Sequence, residues 1–361
     1  MERIRTLVVD DSALMRRTLR QIVENDPELE LVGVARDGLD ALQKARELRP
    51  AVISLDINMP QMDGITVLQH VMAEEICPVV MVSSLTQKGA VTTFEAMALG
   101  AFDFVAKPDG TVSADMSRVA KELVSKLKTA ARTGVLSRLR KGVNRRRDQP
   151  SQPMLAQPVQ AHPTGARFGY KAVALGISTG GPSTLMEVLP LLPKNLPAAV
   201  FLVQHMPASF IRSFTERLRN HCQLRVVEAE AGLTVQPGVC YVARGDCHLV
   251  TLRKINGEVT LRTPVCPKTL FMPSVGVMMS AVVDVYGSET VGVLMTGIGD
   301  DGADAMLKVK QAGGHTIAES EETSVVFGMP RAAIERGAVR VVAPSYAIAL
   351  EIVRATGSDA N

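Results

Sequence analysis

Short β-branched runs alternate with amphipathic helical patterns over the first 130 residues of the chain. The apolar runs predict five strands, at residues 4–9, 31–35, 51–55, 79–82 and 102–106. Between them, apolar positions at helical spacing predict helices that begin near Ser12, Gly38, Asp63, Gln87 and Val112. This alternation favours a doubly wound parallel sheet with helices on both faces, whose chemistry lies at the carboxyl ends of the strands.

The same alternation returns in the last 190 residues. It predicts strands at 171–177, 198–203, 290–295, 315–318 and 339–342, and β structure with an Asn-Gly turn within 239–261. Helices are predicted at 274–285, 302–311 and 330–335, and after the 198–203 strand, where Phe210, Ile211, Phe214 and Leu218 fall on one face. The pattern therefore predicts a second α/β domain.

The alternation of predicted strands and helices stops between the two regions. Seven basic residues and no acid lie between Arg132 and Arg147, and residues 148–165 contain four prolines and four glutamines. Proline cannot continue a helix or a ladder, so we interpret this stretch as a linker. The expected organisation is an N-terminal domain at 1–125, a linker at 126–169 and a C-terminal domain at 170–361.

The amino-acid composition excludes several classes of protein. With 46% hydrophobic and 21% charged residues, the chain can bury proper cores and is not a disordered polyelectrolyte. The formal charge is +3, but without the seven basic residues at 132–147 the rest of the chain would carry −4, so the basicity is local. The 4% aromatic content without tryptophan argues against a nucleic-acid partner. Five cysteines without a C-x-x-C pair indicate reduced thiols. No apolar run approaches the ~20 residues that span a bilayer, so we expect a cytoplasmic protein without membrane insertion.

Polar residues stand at the carboxyl ends of the N-terminal strands. They are Asp10 and Asp11, Asp56, Ser83 and Lys107. Three carboxylates at one edge repel one another unless a hard cation such as Mg²⁺ lies among them. A lysine and a hydroxyl opposite them suit an aspartyl phosphate. Solvated loop residues are the alternative, but five such residues at four correct strand ends disfavour it.

Two further residues bear on this pocket. The backbone carbonyl of Asn58 is placed to be an additional Mg²⁺ ligand, and Pro108 would direct the approach of Lys107, through a cis bond in our interpretation.

Residues 1–125 resemble the receiver domain of two-component response regulators. The motifs are "VVDDSALMRR", "SLDINMPQMDG", "VMVSS" and "FDFVAKP". The resemblance implies that Asp56 accepts a phosphoryl group and that Asp10 and Asp11 bind Mg²⁺. It also implies that Ser83 and Lys107 are the switch pair. Phe104 falls on the mobile aromatic position of that family.

A candidate nucleophile opens the C-terminal domain. Ser178 lies in a glycine-rich turn between a predicted strand and a helix, beside backbone N–H groups that can stabilise an oxyanion. His205 closes the next strand and can reach Ser178 as a base, and Asp301 follows a later strand as an orienting acid. The α/β-hydrolase order would require His315, but that residue begins a strand, at the wrong end for catalysis. The remaining histidines, His70, His162, His221 and His248, suggest structural or solvated roles and no zinc site.

The whole chain apart from the linker resembles the chemotaxis protein-glutamate methylesterase family, CheB. The matching motifs are "GISTGG", "QHMPASFIRSFTERL", "ARGDCHLV", "TGIGDDGADAM" and "VVFGMPRAAIERG". The resemblance implies hydrolysis of glutamate γ-methyl esters on methyl-accepting chemoreceptors, and in many members deamidation of receptor glutamines. A chemotaxis histidine kinase would donate the phosphoryl group. The implied triad is Ser178, His205 and Asp301, with Thr179 and Ile298 at further active-site positions.

Several positions depart from the family pattern. Residues 271–276 read FMPSVG where HRPSVD is usual, so an arginine and an acid are replaced by Met272 and Gly276. Asp300 replaces an asparagine and would place a second carboxylate beside the triad acid, and Cys247 stands where lysine is common. A non-enzymatic regulator that binds a receptor or kinase in a non-flagellar chemosensory array therefore stays as an alternative. A transcriptional regulator is disfavoured because no helix-turn-helix pattern is present.

Overall fold

The computed structural model describes residues 2–84, 87–107, 113–143, 169–255 and 257–357. The chain divides into two compact units, Met1–Pro150 and Ser151–Asn361. The expectations for Pro108, for Asn256 and for the Pro/Gln-rich part of the linker fall outside the described residues.

The N-terminal unit is a five-stranded parallel sheet in the order β2-β1-β3-β4-β5. Its strands are β1 (Ile4–Val9), β2 (Leu29–Ala35), β3 (Val52–Asp56), β4 (Val79–Ser83) and β5 (Asp103–Ala106). Its helices are α1 (Ala13–Glu24), α2 (Gly38–Leu48), α3 (Gly64–Ala73), α4 (Gln87–Ala98) and α5 (Ser113–Val143). The central strands β3 and β4 are buried along their whole length, as strands covered on both faces are.

Three of these helices begin where the sequence provides a side-chain cap. The side chains of Ser12, Asp37 and Asp63 accept backbone N–H groups in the first turns of α1, α2 and α3. These caps explain why the predicted starts agree with the observed ones within one residue.

Helix α5 corrects the predicted start of the linker. It continues past residue 125 to Val143, and Leu127, Ala130 and Ala131 are buried in the core of the N-terminal unit. Arg132, the first residue of the basic run, pairs with Glu28. The spacing of four and three residues from Leu123 to Ala130 keeps one apolar face on the sheet, so residues 126–131 belong to the N-terminal unit and not to a linker.

The C-terminal unit is a seven-stranded parallel sheet in the order β14-β13-β12-β6-β7-β9-β8, with a separate antiparallel hairpin of β10 and β11. Its strands are β6 (Lys171–Ile177), β7 (Ala198–Gln204), β8 (Arg225–Glu228), β9 (Val239–Val242), β10 (Val250–Arg253), β11 (Val259–Arg262), β12 (Thr290–Leu294), β13 (His315–Glu319) and β14 (Val341–Ala343). Its helices are α6 (Gly181–Val188), α7 (Ala208–His221), α8 (Val275–Tyr286), α9 (Ala303–Gln311), α10 (Met329–Glu335) and α11 (Ser345–Thr356). The predicted α/β class is confirmed for both units.

Aromatic side chains fill the core under one face of this sheet. Phe201 of β7 stacks on Tyr241 of β9 and contacts Tyr286 of α8. The hydroxyl groups of Tyr286 and Tyr170 lie 3.3 Å apart. This packing fixes α8 against β6 and β7, which matters because the start of α8 reaches the candidate site.

Among the described residues, no helix has both the length and the apolar character needed to cross a membrane.

Candidate functional sites

Ser178 and His205 follow two paired strands. The last pair between β6 and β7 is Ile177 with Gln204, and the His205 N–H donates to the Ile177 carbonyl at 3.1 Å. Ser178 is buried, with 8% of its surface exposed. Because neighbouring strands lie about 4.8 Å apart, the two side chains emerge side by side at the carboxyl edge of the sheet, as the sequence predicts.

Gln204 joins the two strand ends. Its side-chain amide is buried and donates to the Ser178 carbonyl and to the His205 carbonyl, both at 2.9 Å. Helix α6 lies so close that a Cβ on Gly181 would be 2.0 Å from the Gln204 side-chain oxygen. The sequence does not predict this role for Gln204, because a single glutamine carries no spacing signal.

Asp301 completes the group of three. Its Oδ2 lies 2.9 Å from Nε2 of His205, while Nδ1 of His205 is buried and has no hydrogen-bond partner in the described part of the chain. Asp301 reaches this place from the loop between β12 and α9. The three residues come in the chain order serine, histidine, aspartate, and His315 lies at the start of β13 as expected.

The N-terminus of α8 surrounds the other side of Asp301. The Ser274 hydroxyl and the Gly276 N–H donate to Oδ1 at 2.9 Å each, and the Val275 N–H donates to Oδ2 at 2.8 Å. Burial acts to raise the pKa of Asp301, but the bonds from His205, Gly276 and Ser274 outweigh it and hold the pKa below its usual value. The acid is therefore ionised beside the imidazole.

A second network supports the turn that carries Ser178. Thr296 accepts the Ser178 N–H at 2.9 Å through its carbonyl, and its hydroxyl donates to the Thr179 carbonyl at 2.9 Å. The Thr296 N–H in turn donates to the buried carboxylate of Glu319 at 2.8 Å. Burial raises the pKa of Glu319. Sequence reasoning missed both Thr296 and Glu319.

The loop after Thr296 passes directly over the candidate nucleophile. A Cβ on Gly297 would lie 2.7 Å from the Cβ of Ser178, so only glycine allows this approach. Ile298 follows in the same loop and is half-buried, and Thr179 is buried after Ser178. Both predicted oxyanion positions therefore belong to backbone segments that meet at Ser178.

The predicted acidic pocket forms at the carboxyl edge of the N-terminal sheet. One carboxylate oxygen from each of Asp10, Asp11 and Asp56 lies within 4.8 Å of the others. Nζ of Lys107 lies 2.8 Å from Oδ2 of Asp10 and 2.8 Å from Oδ2 of Asp56. Asp10 and Asp56 are buried, whereas Asp11 is exposed.

Burial dominates the electrostatics of Asp56. It raises the pKa of Asp56 to about 6, although Lys107 acts to lower it. Burial also acts to lower the pKa of Lys107, but its bonds to Asp10 and Asp56 outweigh this and raise it. The lysine is thus a fixed positive charge.

The remaining predicted receiver residues surround the same strand ends. The Asn58 N–H donates to Oδ1 of Asp56 at 3.4 Å, and the Ser83 hydroxyl lies 3.4 Å from the Gly89 carbonyl. Phe104 is buried and makes an edge-to-face contact with Phe94. Lys126 of α5, which was not predicted, donates to the Phe104 carbonyl at 2.6 Å.

Comparison with known proteins identifies the family of both domains. The family model "CheB methylesterase" matches residues 173–352, and "Response regulator receiver domain" matches residues 6–113. A protein-glutamate methylesterase/protein-glutamine glutaminase 3 from Syntrophomonas wolfei is 53% identical over 356 residues, covering 98% of this chain and 99% of that protein. The chain belongs to the CheB methylesterase family.

Relatives of this CheB chain are found in distant organisms. A protein-glutamate methylesterase/protein-glutamine glutaminase from Pyrococcus abyssi is 43% identical over 355 residues, which cover 98% of this chain and 94% of that protein. The crystal structure of the Thermotoga maritima CheB methylesterase catalytic domain is similar to the C-terminal unit, with 41% identity and a TM-score of 0.51. The match covers 52% of this chain and 99% of the Thermotoga maritima chain.

The receiver pocket of this CheB chain fits a hard divalent cation. Lys107 supplies one positive charge against three carboxylates, two of them buried. Carboxylate and carbonyl oxygens are the ligands that Mg²⁺ prefers. Receiver domains generally bind Mg²⁺, and Asp10, Asp11 and Asp56 form the acidic cluster that could hold it here.

The structure changes the interpretation of Asp300. Its carboxylate lies 2.6 Å from the guanidinium of Arg336, which also pairs with Asp304 at 2.9 Å. The second acid beside Asp301 is therefore neutralised at the surface. At Gly276, where the family pattern has an acid, a Cβ would lie 3.1 Å from Oδ1 of Asp301, so a side chain there would crowd the oxygen that accepts the Ser274 hydroxyl and the Gly276 N–H.

Proposed function

We propose that this chain is a phosphorylation-controlled hydrolase that removes methyl groups from glutamate γ-methyl esters of methyl-accepting chemoreceptors. The observation that carries the proposal is the hydrogen-bonded His205–Asp301 pair at the strand end next to Ser178. The names of the curated relatives support this substrate and also glutamine deamidation.

In the proposed reaction, His205 activates Ser178. Nε2–H of His205 donates to Asp301, so Nδ1 is the nitrogen left to accept the Ser178 proton. Oγ of Ser178 then attacks the ester carbonyl and forms a tetrahedral oxyanion. The N–H groups of Thr179 and Ile298 are our candidates to stabilise that oxyanion.

The intermediate collapses to release the product alcohol. The imidazolium of His205 returns its proton to the departing methoxide, methanol leaves, and a glutamyl ester on Ser178 remains. Water, deprotonated by His205, attacks this ester and yields the receptor glutamate and free Ser178. A glutamine substrate follows the same steps with ammonia as the leaving group. The negative charge of Asp301 stabilises the imidazolium in both halves.

In the receiver domain we propose Asp56 as the phosphoryl acceptor, with a chemotaxis histidine kinase as the donor. Asp10, Asp11, Asp56 and the Asn58 carbonyl would hold Mg²⁺, which when bound neutralises charge on the phosphoryl oxygens. Lys107 is already ion-paired to Asp56 and would contact the phosphoryl group.

Phosphorylation would then regulate the esterase. Ser83 and Phe104 would move together when the Asp56 charge changes, which biases the receiver between two states. We propose that the unphosphorylated receiver restricts access to Ser178 and that phosphorylation relieves this, giving sensory adaptation in the cytoplasm.

Methanol release from methylated receptor membranes tests the proposal. We expect the full chain to release methanol, an added small-molecule phosphodonor to increase the rate, and Ser178→Ala to abolish it. Release that persists in Ser178→Ala would contradict the catalytic role. If no methylated receptor gave methanol, while receptor binding persisted in Ser178→Ala, the result would favour the binding regulator that the Met272 and Gly276 departures suggest.

A further inference from the structure

Phe271 stacks face to face on His205. The ring centroids are 4.2 Å apart and the planes differ by 10°. Phe271 lies in the segment between β11 and α8, residues 263–274, and is half-buried. The Phe271 ring therefore covers one face of the His205 imidazole. The two ring nitrogens lie on the edges of that imidazole.

The same segment also holds the partner of His205. It runs directly into the α8 N-terminus, where Ser274, Val275 and Gly276 bind the carboxylate of Asp301. Six residues of sequence, 271–276, thus contact both members of the His–Asp pair.

Buried His248 fixes this segment at two points. Its Nε2 lies 2.8 Å from the Pro267 carbonyl, and its Nδ1 accepts the Ser274 N–H at 3.2 Å. The Thr269 hydroxyl donates to the Phe271 carbonyl within the segment. Phe271 is therefore presented by a backbone with several internal restraints and not by a free loop.

We infer that Phe271 is a positioning residue that holds the His205 imidazole with Nε2 on Asp301 and Nδ1 available to Ser178, an inference that rests on the proposed esterase function. Rotation of the His205 imidazole about its Cβ–Cγ bond would tilt it away from the Phe271 ring, so the stacking opposes that rotation. The face of an aromatic ring also attracts a cation, which favours the imidazolium that forms when Ser178 is deprotonated.

The rate at which a fluorophosphonate probe labels the full chain tests this inference. The probe reports the reactivity of Ser178 without requiring a receptor. We expect Phe271→Leu, which keeps an apolar side chain but lacks a planar face, to label about tenfold more slowly. Phe271→Tyr keeps the face and should label within about twofold of the parent chain. Leu270→Ala changes the exposed neighbouring residue and is the matched control, with an unchanged rate.

Two further measurements separate positioning from other roles. Hydrolysis of a small acetate ester should show a lower kcat and an unchanged KM in Phe271→Leu, with a thermal midpoint within about 2 °C of the parent. A raised KM at unchanged kcat would make Phe271 a substrate contact and overturn the inference. Ser178-dependent labelling that is equal in Phe271→Leu would overturn only the role of Phe271, whereas labelling that persists in Ser178→Ala would overturn the catalytic proposal itself.

Discussion

The Asp301 carboxylate accepts hydrogen bonds from groups in distant parts of the sequence. It receives hydrogen bonds from His205 and from three groups at the start of α8. An amide in its place would present N–H groups to other N–H donors and lose the charge that stabilises the imidazolium.

We therefore expect Asp301→Asn to lower kcat for methyl ester hydrolysis by about 10³-fold or more. Asp300→Asn is the matched control, because that carboxylate binds Arg336 at the surface. It should change kcat by less than about threefold. Methanol release by the two variants checks this, and equal losses in both would contradict the assignment.

Asp56 provides a second prediction, on stability. Its pKa of about 6 in the folded chain lies above the ordinary value of 3.8, so ionisation of Asp56 opposes folding. This cost is absent below about pH 4 and complete above about pH 7. Asp56→Asn should raise the free energy of unfolding of the N-terminal unit by about 3 kcal/mol at pH 7.5 and by little at pH 4.

Urea unfolding without divalent cations, followed by circular dichroism, measures this difference once tyrosine emission has identified the transition of the C-terminal unit. Asp11→Asn removes an exposed carboxylate from the same pocket and should change the free energy by less than about 0.5 kcal/mol at either pH. A gain in Asp56→Asn that does not depend on pH would show that ionisation is not its cause.

Secondary-structure elements were predictable where local signals mark them. The five strands of the N-terminal unit and the capped starts of α1 to α3 follow from β-branched runs and from Ser12, Asp37 and Asp63. The end of α5 was misjudged although the spacing of Leu123, Leu127 and Ala130 contains the signal. The short, partly exposed strand β8 has too few apolar positions to mark it, and helix α11 was also missed.

The sequence predicts the main residues of the candidate sites but not the residues that support them. Strand ends and glycine-rich turns identify Ser178, His205 and Asp301 because parallel strands end side by side. The supporting residues Gln204, Thr296 and Ser274 depend on packing between elements far apart in the chain, and no local pattern specifies that packing.

Helix α8 links stability to the chemistry at the site. The Ser274 hydroxyl accepts the Val277 N–H at 3.3 Å as a cap and donates to Asp301. Ser274→Ala should lower the stability of the C-terminal unit by about 1 kcal/mol and lower kcat about tenfold. Ser12→Ala removes the comparable cap of α1 in the other unit. For Ser12→Ala, thermal unfolding should show a loss of stability and ester hydrolysis should show an unchanged kcat. A fall in kcat in both variants would contradict a catalytic effect of the Ser274–Asp301 hydrogen bond.

For the whole molecule, two sheets with separate cores are joined in one chain. Because one chain carries both units, weak interactions between them would be enough for the proposed regulation. The proposed phosphoryl-acceptor site and the proposed esterase site lie in different units, so each can be altered alone.

A chain that begins at Ser151 tests the regulatory role of the receiver. It lacks the N-terminal unit and should hydrolyse small esters faster than the unphosphorylated full chain, with no response to a phosphodonor. The same truncation carrying Ser178→Ala controls for background hydrolysis. Equal rates for the truncated and full chains would contradict inhibition by the receiver.

The aromatic core of the C-terminal unit has a spectroscopic consequence. The chain has four tyrosines and no tryptophan, and Tyr170, Tyr241, Tyr286 and Tyr346 all belong to the C-terminal unit. Tyrosine emission therefore reports the unfolding of that unit alone, while far-ultraviolet circular dichroism reports both. Recording the two signals on one unlabelled sample separates the unfolding of the catalytic unit from that of its regulator.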